Sequence, residues 1–167
     1  SNVHHSGVSV QCRDIHIHHN HIHDVHAYPV VTGDRARLPI LIEANLIYWV
    51  WHGIAGTGGP ETRCEARYNE FVGGAIPPSR GRRYHCFDMH AFRDIQDGDQ
   101  SRIAGDTILI HHNSVRNMGG ALGARIRGIP RDGCIFHHNW FAAEDPGQAI
   151  EQVEPHSNLW AYNNAHG

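Results

Sequence analysis

Six short segments of this chain share one pattern, and that repetition restricts the fold more than any other feature. They are Ile15 to Ile22 (IHIHHNHI), Ile40 to Ile47 (ILIEANLI), Cys64 to Phe71 (CEARYNEF), Ile108 to Val115 (ILIHHNSV), Cys134 to Phe141 (CIFHHNWF) and Leu159 to His166 (LWAYNNAH). Each reads apolar-x-apolar-x-x-Asn. The Asn positions are Asn20, Asn45, Asn69, Asn113, Asn139 and Asn164, with spacings of 25, 24, 44, 26 and 25. The gap of 44 fits two periods. Phe87-Asp88-Met89-His90-Ala91-Phe92 supplies a unit inside it, with Phe92 at the Asn position, and the intervals then read 25, 24, 23, 21, 26 and 25.

Residues in these segments alternate with period two, which marks strands rather than helices. The rest of each period is rich in Gly, Pro, Asp and Asn, and no helical periodicity is sustained. Leucine-rich repeats have a similar length, but their Leu-x-x-Leu-x-Leu pattern is missing. Short strands separated by turns and stacked in register describe an all-β solenoid, the parallel β-helix. At the strand spacing of any sheet, about seven coils make a rod on the order of 33 Å long. The Asn column has a structural reason. A tight corner after the strand needs a residue tolerant of left-handed backbone geometry, and Asn is the best choice after Gly. Stacked Asn side chains also hydrogen-bond along a ladder.

Composition removes whole classes of function. The 167 residues carry 14 basic and 17 acidic side chains, so there is no basic face for nucleic acid. No apolar run approaches the roughly 20 residues of a membrane helix, so membrane insertion is not expected. All basic residues are Arg, which excludes a Lys base, a Schiff base and a phosphate-loop Lys. Cys12, Cys64, Cys86 and Cys134 form no C-x-x-C pair. They allow three pairings if oxidised, and buried free thiols are the simpler expectation. The 17 His, about one residue in ten, need a separate explanation.

Between Ile15 and Phe141 stand the strings IHIHHNHIH, IEAN, HGIAGTGGPET, EARYN, FDMH, AGDTILIHHN, RIRGIP and IFHHNWF. With them the sequence resembles the right-handed parallel β-helix repeat proteins of the pectate-lyase-like superfamily, in a widespread extracellular branch. The resemblance implies a right-handed coil and an extracellular or secreted protein. The superfamily hosts lyases, hydrolases, epimerases, tailspikes and non-enzymatic adhesins, so the fold does not choose a function.

Register turns the repeat into columns. Two residues before each Asn position lie His18, Glu43, Arg67, His90, His111, His137 and Tyr162; four before lie His16, Leu41, Glu65, Asp88, Leu109, Ile135 and Trp160. Both columns alternate with inward residues and so face outward. Same-column side chains on neighbouring coils come within about 5 Å. Glu43, Glu65, Arg67, Asp88, His90 and His111 are therefore expected to form one cluster on one sheet face. Such a face suits a polar sugar chain, although Arg and carboxylate neighbours also form plain cross-strand ion pairs.

Asp88-Met89-His90 puts two side chains on one face of a strand, and an Asp beside a His holds its tautomer for general acid–base work. The segment is similar to the D-P-H-D motif of mannuronan C5-epimerases, which implies catalytic roles for Asp88 and His90. Met89 stands where that motif has Pro, and Ala91 where it has its second acid. A uronate lyase or epimerase removes a proton beside a carboxylate whose charge must be offset by Arg or by a cation such as Ca²⁺. Arg67, Arg125 or Arg127 can offset it, His90 or His111 can act as base, and Tyr68 can donate a proton. Polygalacturonase-type hydrolysis needs an adjacent pair of Asp, and no Asp-Asp occurs.

His-His pairs recur at His18-His19, His111-His112 and His137-His138, each just before an Asn. A metal site needs three or four His converging; His111 and His137 on adjacent coils can share one, whereas recurrence at equivalent places fits a turn consensus. His52, in a Gly-rich turn that is no phosphate loop, is expected to line the same groove. The chain is expected to be one domain over residues 1–167, which can be a piece of a longer solenoid, with exposed coil ends that invite pairing. The sequence thus points to polysaccharide binding or lyase/epimerase-like modification. Asp88, His90, Arg67 and His111 are the candidate catalytic residues, and Glu43, Glu65, His52, Arg125 and Arg127 the candidate substrate-binding ones. The alternative is a structural or adhesive module that stacks end to end as a filament subunit.

Overall fold

A computed structural model describes residues 7–10, 13–25, 27–32, 37–49, 51–56, 61–73, 84–90, 104–118, 121–143, 145–153 and 158–167. The chain begins with β1 (Val8–Val10), β2 (Arg13–His18), β3 (His21–Ile22), β4 (Val30–Thr32), β5 (Arg37–Glu43) and β6 (Leu46–Trp49). It continues with β7 (His52–Ala55), β8 (Arg63–Arg67), β9 (Glu70–Gly73), β10 (His85–Met89), β11 (Thr107–His111) and β12 (Ser114–Arg116). Then come β13 (Leu122–Ile126), β14 (Gly133–His137), β15 (Trp140–Phe141), the short helix α1 (Pro146–Ala149), β16 (Ile150–Gln152), β17 (Leu159–Tyr162) and β18 (Ala165–His166). No described helix is long and apolar enough to cross a membrane.

Every third strand joins the same sheet. The first sheet runs β1-β4-β7-β10-β13-β16, the second β2-β5-β8-β11-β14-β17 and the third β3-β6-β9-β12-β15-β18. All pairings are parallel, so the fold is the parallel β-solenoid expected from the repeat, with about five turns rather than seven. Inward residues stack in columns. In the second sheet Ile40, Cys64, Ile108 and Cys134 share one register, and Ile42, Ala66, Ile110 and Phe136 the next. All eight are buried, in one core cluster that also takes Trp49, Phe71, Phe87 and Phe141. Cys64, Cys86 and Cys134 are buried free thiols, and burial pushes the Cys64 thiol up to about 12. Cys12 lies outside the described residues.

The long interval between Asn69 and Asn113 is one turn of the coil, not two. β11 pairs directly with β8, placing Ile108 on Cys64 and His111 on Arg67. The unit expected at Phe87 to Phe92 therefore does not enter the Asn-bearing sheet. Its described part is β10, which sits in the first sheet between β7 and β13. The extra length of this turn falls at 74–83 and 91–103, outside the described residues, as do Ala91 and Phe92. A strand with alternating apolar residues fits any face of the solenoid, so alternation alone could not name its sheet.

The Asn column forms the expected ladder, but the left-handed corner belongs to the residue before it. His19, Ala44, Tyr68, His112, His138 and Asn163 have φ between 52° and 54°. Asn45, Asn69, Asn113 and Asn139 are buried, and the side-chain amide of each donates to the Oδ1 of the Asn on the next coil, as in Asn45 to Asn69 at 2.9 Å, Asn69 to Asn113 at 3.0 Å and Asn113 to Asn139 at 3.0 Å. The same Oδ1 accepts the backbone N–H from the coil below, and the amide also reaches a strand carbonyl, as Asn69 does to Ile42. Asn is required for donor and acceptor capacity together, not for its backbone tolerance. The His-His pairs follow from this. The first His ends the strand facing outward, and the second occupies the left-handed corner, where His is itself enriched.

The first sheet bends at a different point. Cys86 and Phe87 are consecutive, yet both join the core. The inward bend leaves room only for small neighbours: a Cβ on Gly53 would meet the Cys86 sulfur and the Phe71 ring at 2.9 Å, and one on Gly123 would meet the Phe141 ring at 2.4 Å. His85 and Asp88, on either side of the bend, stay out of the core and face one another across its outer, concave side.

Candidate functional site

The residues expected in one cluster fall into two. Glu43, Glu65, Arg67 and His111 stand on the outer face of the second sheet. Asp88, His90, His52 and Arg127 stand at the concave bend of the first. Arg125, on the strand next to Asp88, turns instead to Glu151, with Nε 2.8 Å from its carboxylate, and joins neither group.

On the second sheet the expected columns are real once the Asp88 unit is removed. Glu43, Arg67, His111, His137 and Tyr162 share one register, and Glu65 lies beside Leu41 and Leu109. Arg67 donates from Nε to Glu43 at 2.7 Å and from Nη1 to Glu65 at 2.9 Å. His16 Nε2 lies 2.8 Å from the other Glu43 oxygen. The Arg67 hydrogen bond, followed by that of His16, holds the Glu43 carboxyl below its ordinary range. The Glu65 oxygen that accepts from Arg67 also lies 3.0 Å from His111 Nε2, and His111 Nδ1 lies 2.8 Å from His112 Nδ1.

These contacts settle the tautomers. A carboxylate only accepts, so the Nε2 of His111 carries its proton. A neutral His111 then has its lone pair on Nδ1 and accepts the Nδ1–H of His112. That leaves the Nε2 of His112 as an unprotonated base. Burial first, and the His111 and His138 imidazoles second, keep His112 below the ordinary histidine pKa and hence neutral at neutral pH. A carboxylate, an orienting imidazole and a terminal imidazole are thus in series, an arrangement suited to general base catalysis.

The terminal base opens on a surface of rings. Tyr68 is 58% exposed, with its ring centroid 5.1 Å from that of His112. His112 and His138 stack at 5.0 Å with planes 7° apart, and His137 stacks on Tyr162 at 5.2 Å. An open groove of about 440 Å³ runs along this corner between Tyr68, Glu70, His112, Ser114, His138 and Trp140. His112 is the residue the repeat concealed. Its difference from His19 and His138 comes from Glu65, which reaches it only through the coil below.

At the bend of the first sheet, Asp88 is 1% exposed. Its carboxylate takes a two-pronged contact from Arg127, Nε at 2.8 Å and Nη2 at 2.6 Å. His85 Nε2 lies 2.8 Å away, His90 Nε2 3.5 Å and His52 Nε2 3.7 Å. Burial pulls the Asp88 pKa upward, but the His85 contact and the surrounding imidazoles outweigh it and keep the group ionised. Asp88 and His90 are together, as their D-x-H spacing suggests, but β10 belongs to the first sheet and Arg67 and His111 to the second. His85 was not foreseen, because its position three residues from Asp88 points away from it on a regular strand; only the bend at Cys86-Phe87 brings the two together.

The donor sets bear on cations. Ca²⁺ takes six to eight oxygens. Among the described residues Glu43 and Glu65 stand apart with Arg67 between them, and the convergent donor groups, His111-His112-His137 and His52-His85-Asp88, are dominated by nitrogen. Neither of these groups of described residues is a Ca²⁺ cage.

Compared with known proteins, the chain matches no protein-family model, no curated protein and no solved structure.

Proposed function

We propose that this is an extracellular, pectate-lyase-like β-helix protein that binds polysaccharide along the ring-lined corner of its second sheet, and that His112 is the base of a lyase- or epimerase-like reaction there. The observation that carries the reading is the Glu65–His111–His112 series ending in an exposed groove beside Tyr68. Sugar rings stack their C–H faces on aromatic planes, and Tyr68, His112, His138 and Trp140 offer such planes along one edge of the rod. His112 Nε2 takes the proton beside the uronate carboxylate. The resulting imidazolium is stabilised through His111 by the Glu65 carboxylate. Arg67, with Nε and Nη1 used by the glutamates, presents its remaining amino group to the sugar carboxylate. Tyr68 returns a proton, to the opposite face of the same carbon in an epimerase or to the leaving oxygen in a lyase.

The test is binding and turnover on a panel of uronate and neutral polysaccharides, following unsaturated-sugar absorbance for lysis. Tyr68→Ala is expected to weaken binding about tenfold. His112→Ala, which also removes one stacking plane, is expected to weaken binding no more than Tyr68→Ala does and to lower turnover at saturating polymer by about 10²–10⁴-fold, the usual worth of a general base. Turnover unchanged in His112→Ala removes the base assignment. Absence of binding to every polymer, together with regular filaments by electron microscopy, replaces this reading with the stacking module.

A further inference from the structure

The bend of the first sheet contains an electrostatic contradiction. The Nδ1 of His52 lies 3.3 Å from the carbonyl oxygen of His85, which can only accept, so Nδ1 carries the ring's proton. The other nitrogen, Nε2, then turns its lone pair toward the Asp88 Oδ2 at 3.7 Å. Two electron-rich atoms face each other at a separation that suits two ligands of one ion and not a hydrogen bond. Stacking of Tyr28 on His52, with planes 9° apart, fixes the ring against turning away.

A third donor is His85 Nε2, paired with Asp88 Oδ1 at 2.8 Å in the metal-free chain, and an entering ion displaces its proton. One ligand atom each from His52, His85 and Asp88 lies within 4.8 Å of the others, and all three sit on adjacent strands of one rigid sheet. The Arg127 fork on Asp88 orients the carboxylate from its outer side, as partners of metal ligands commonly do. His90 Nε2, 3.5 Å from Asp88 Oδ2, stands at the edge where a fourth ligand or a water belongs. Two imidazoles and a carboxylate with an open position match a four-coordinate site for a borderline divalent ion of the first transition row, Zn²⁺ above all, and not an oxygen cage for Ca²⁺ or Mg²⁺.

We propose that His52, His85 and Asp88 bind one divalent transition-metal ion of the Zn²⁺ class at the concave bend of the first sheet, oriented by Arg127 and open toward His90. This site is independent of the sugar-binding groove, which lies on another sheet.

Co²⁺, whose visible absorption reports tetrahedral nitrogen and oxygen ligation, is the probe, with the full chain stripped of metal beforehand. One equivalent per chain is expected at micromolar or tighter affinity, displaced by Zn²⁺ and not by excess Ca²⁺. His52→Gln and His85→Ala should each weaken it at least tenfold, and Arg127→Gln should weaken it by about 10–100-fold as an orienting partner. A His111→Ala/His112→Ala double variant tests the exposed imidazole group and should leave the first equivalent unchanged. If His85→Ala fails to fold, as judged by its circular dichroism, His52→Gln decides, because it keeps the size and polarity of a partly exposed side chain. No Co²⁺ bound by the wild-type chain, or a bound ion lost in the His111/His112 variant and kept in His52→Gln, overturns the proposal.

Discussion

Two histidine-rich regions of this molecule were built in opposite ways. On the second sheet, imidazoles recur because the coil recurs. His18-His19, His111-His112 and His137-His138 occupy the same strand end and the same left-handed corner, and all but the buried His111 are open to water. At the bend of the first sheet nothing recurs. His52 and His85 come from successive coils, meet Asp88 under Arg127, and are largely removed from water. Repetition makes a surface on which one member, His112, is distinguished by a single carboxylate. Convergence makes a cluster in which each member depends on the others. The first arrangement tolerates substitution; the second does not.

That contrast can be broken or sharpened by experiment. The largest expected effect is Asp88→Ala. It removes the nearly buried carboxylate on which Arg127 and His85 converge and should cost about 3–5 kcal/mol in denaturant unfolding. The corresponding Glu43→Ala on the surface should cost about 1 kcal/mol or less. Equal losses at the two positions would erase the distinction between the regions.

Acid should separate them next. Burial, only partly offset by Asp88, holds the His52 pKa near 3 in the metal-free protein against about 6.5 when unfolded. The folded state therefore binds fewer protons than the unfolded one below pH 6.5. The stability this group contributes is complete above pH 6.5 and is lost as pH falls from there toward 3, on the order of 3 kcal/mol by pH 4. His52→Gln should flatten this limb of the stability curve measured by denaturant unfolding, and His18→Gln should leave it intact.

The ladder beneath the exposed imidazoles is the third point. Asn69→Ala removes the acceptor of the Asn45 backbone N–H and of one bond of its side-chain amide, together with the donor to the Ile42 carbonyl and Asn113 Oδ1, and should cost about 2–3 kcal/mol. Because it supports the His112 corner but not the bend, it should lower groove binding while leaving Co²⁺ uptake unchanged. The smallest effect is Glu65→Gln. It should barely move stability, yet it removes the charge that supports His111 and His112, so the acid limb of any pH–rate profile, set by protonation of the His112 base, should move to lower pH. An unmoved profile would show that the series is only structural.

Much of this was legible beforehand, for reasons visible residue by residue. Ile40, Cys64, Ile108 and Cys134 could be aligned because each sits at a fixed offset from an Asn, and the ladder makes that offset a requirement. The outward columns holding Glu43, Arg67 and His111 followed from strand parity. The corner conformation was attributed to Asn because Asn is the usual left-handed residue, whereas here the ladder claims Asn and the corner falls to His112 or Tyr68. The unit at Asp88 was misplaced because Phe87 and Met89 alternate as well as any strand of the Asn-bearing sheet. His85 was missed because regular strand geometry directs residues three apart to opposite faces.

The sequence by itself determined the solenoid, its ladder and the outward columns of the second sheet, since these depend on local alternation and on a period that every coil must obey to keep its buried amides bonded. Only the tertiary structure decided which sheet receives β10, and therefore which side chains surround Asp88. That choice depends on how much chain is spent at the turns and on a bend that admits two consecutive inward residues, and neither leaves a periodic trace in the order of the residues.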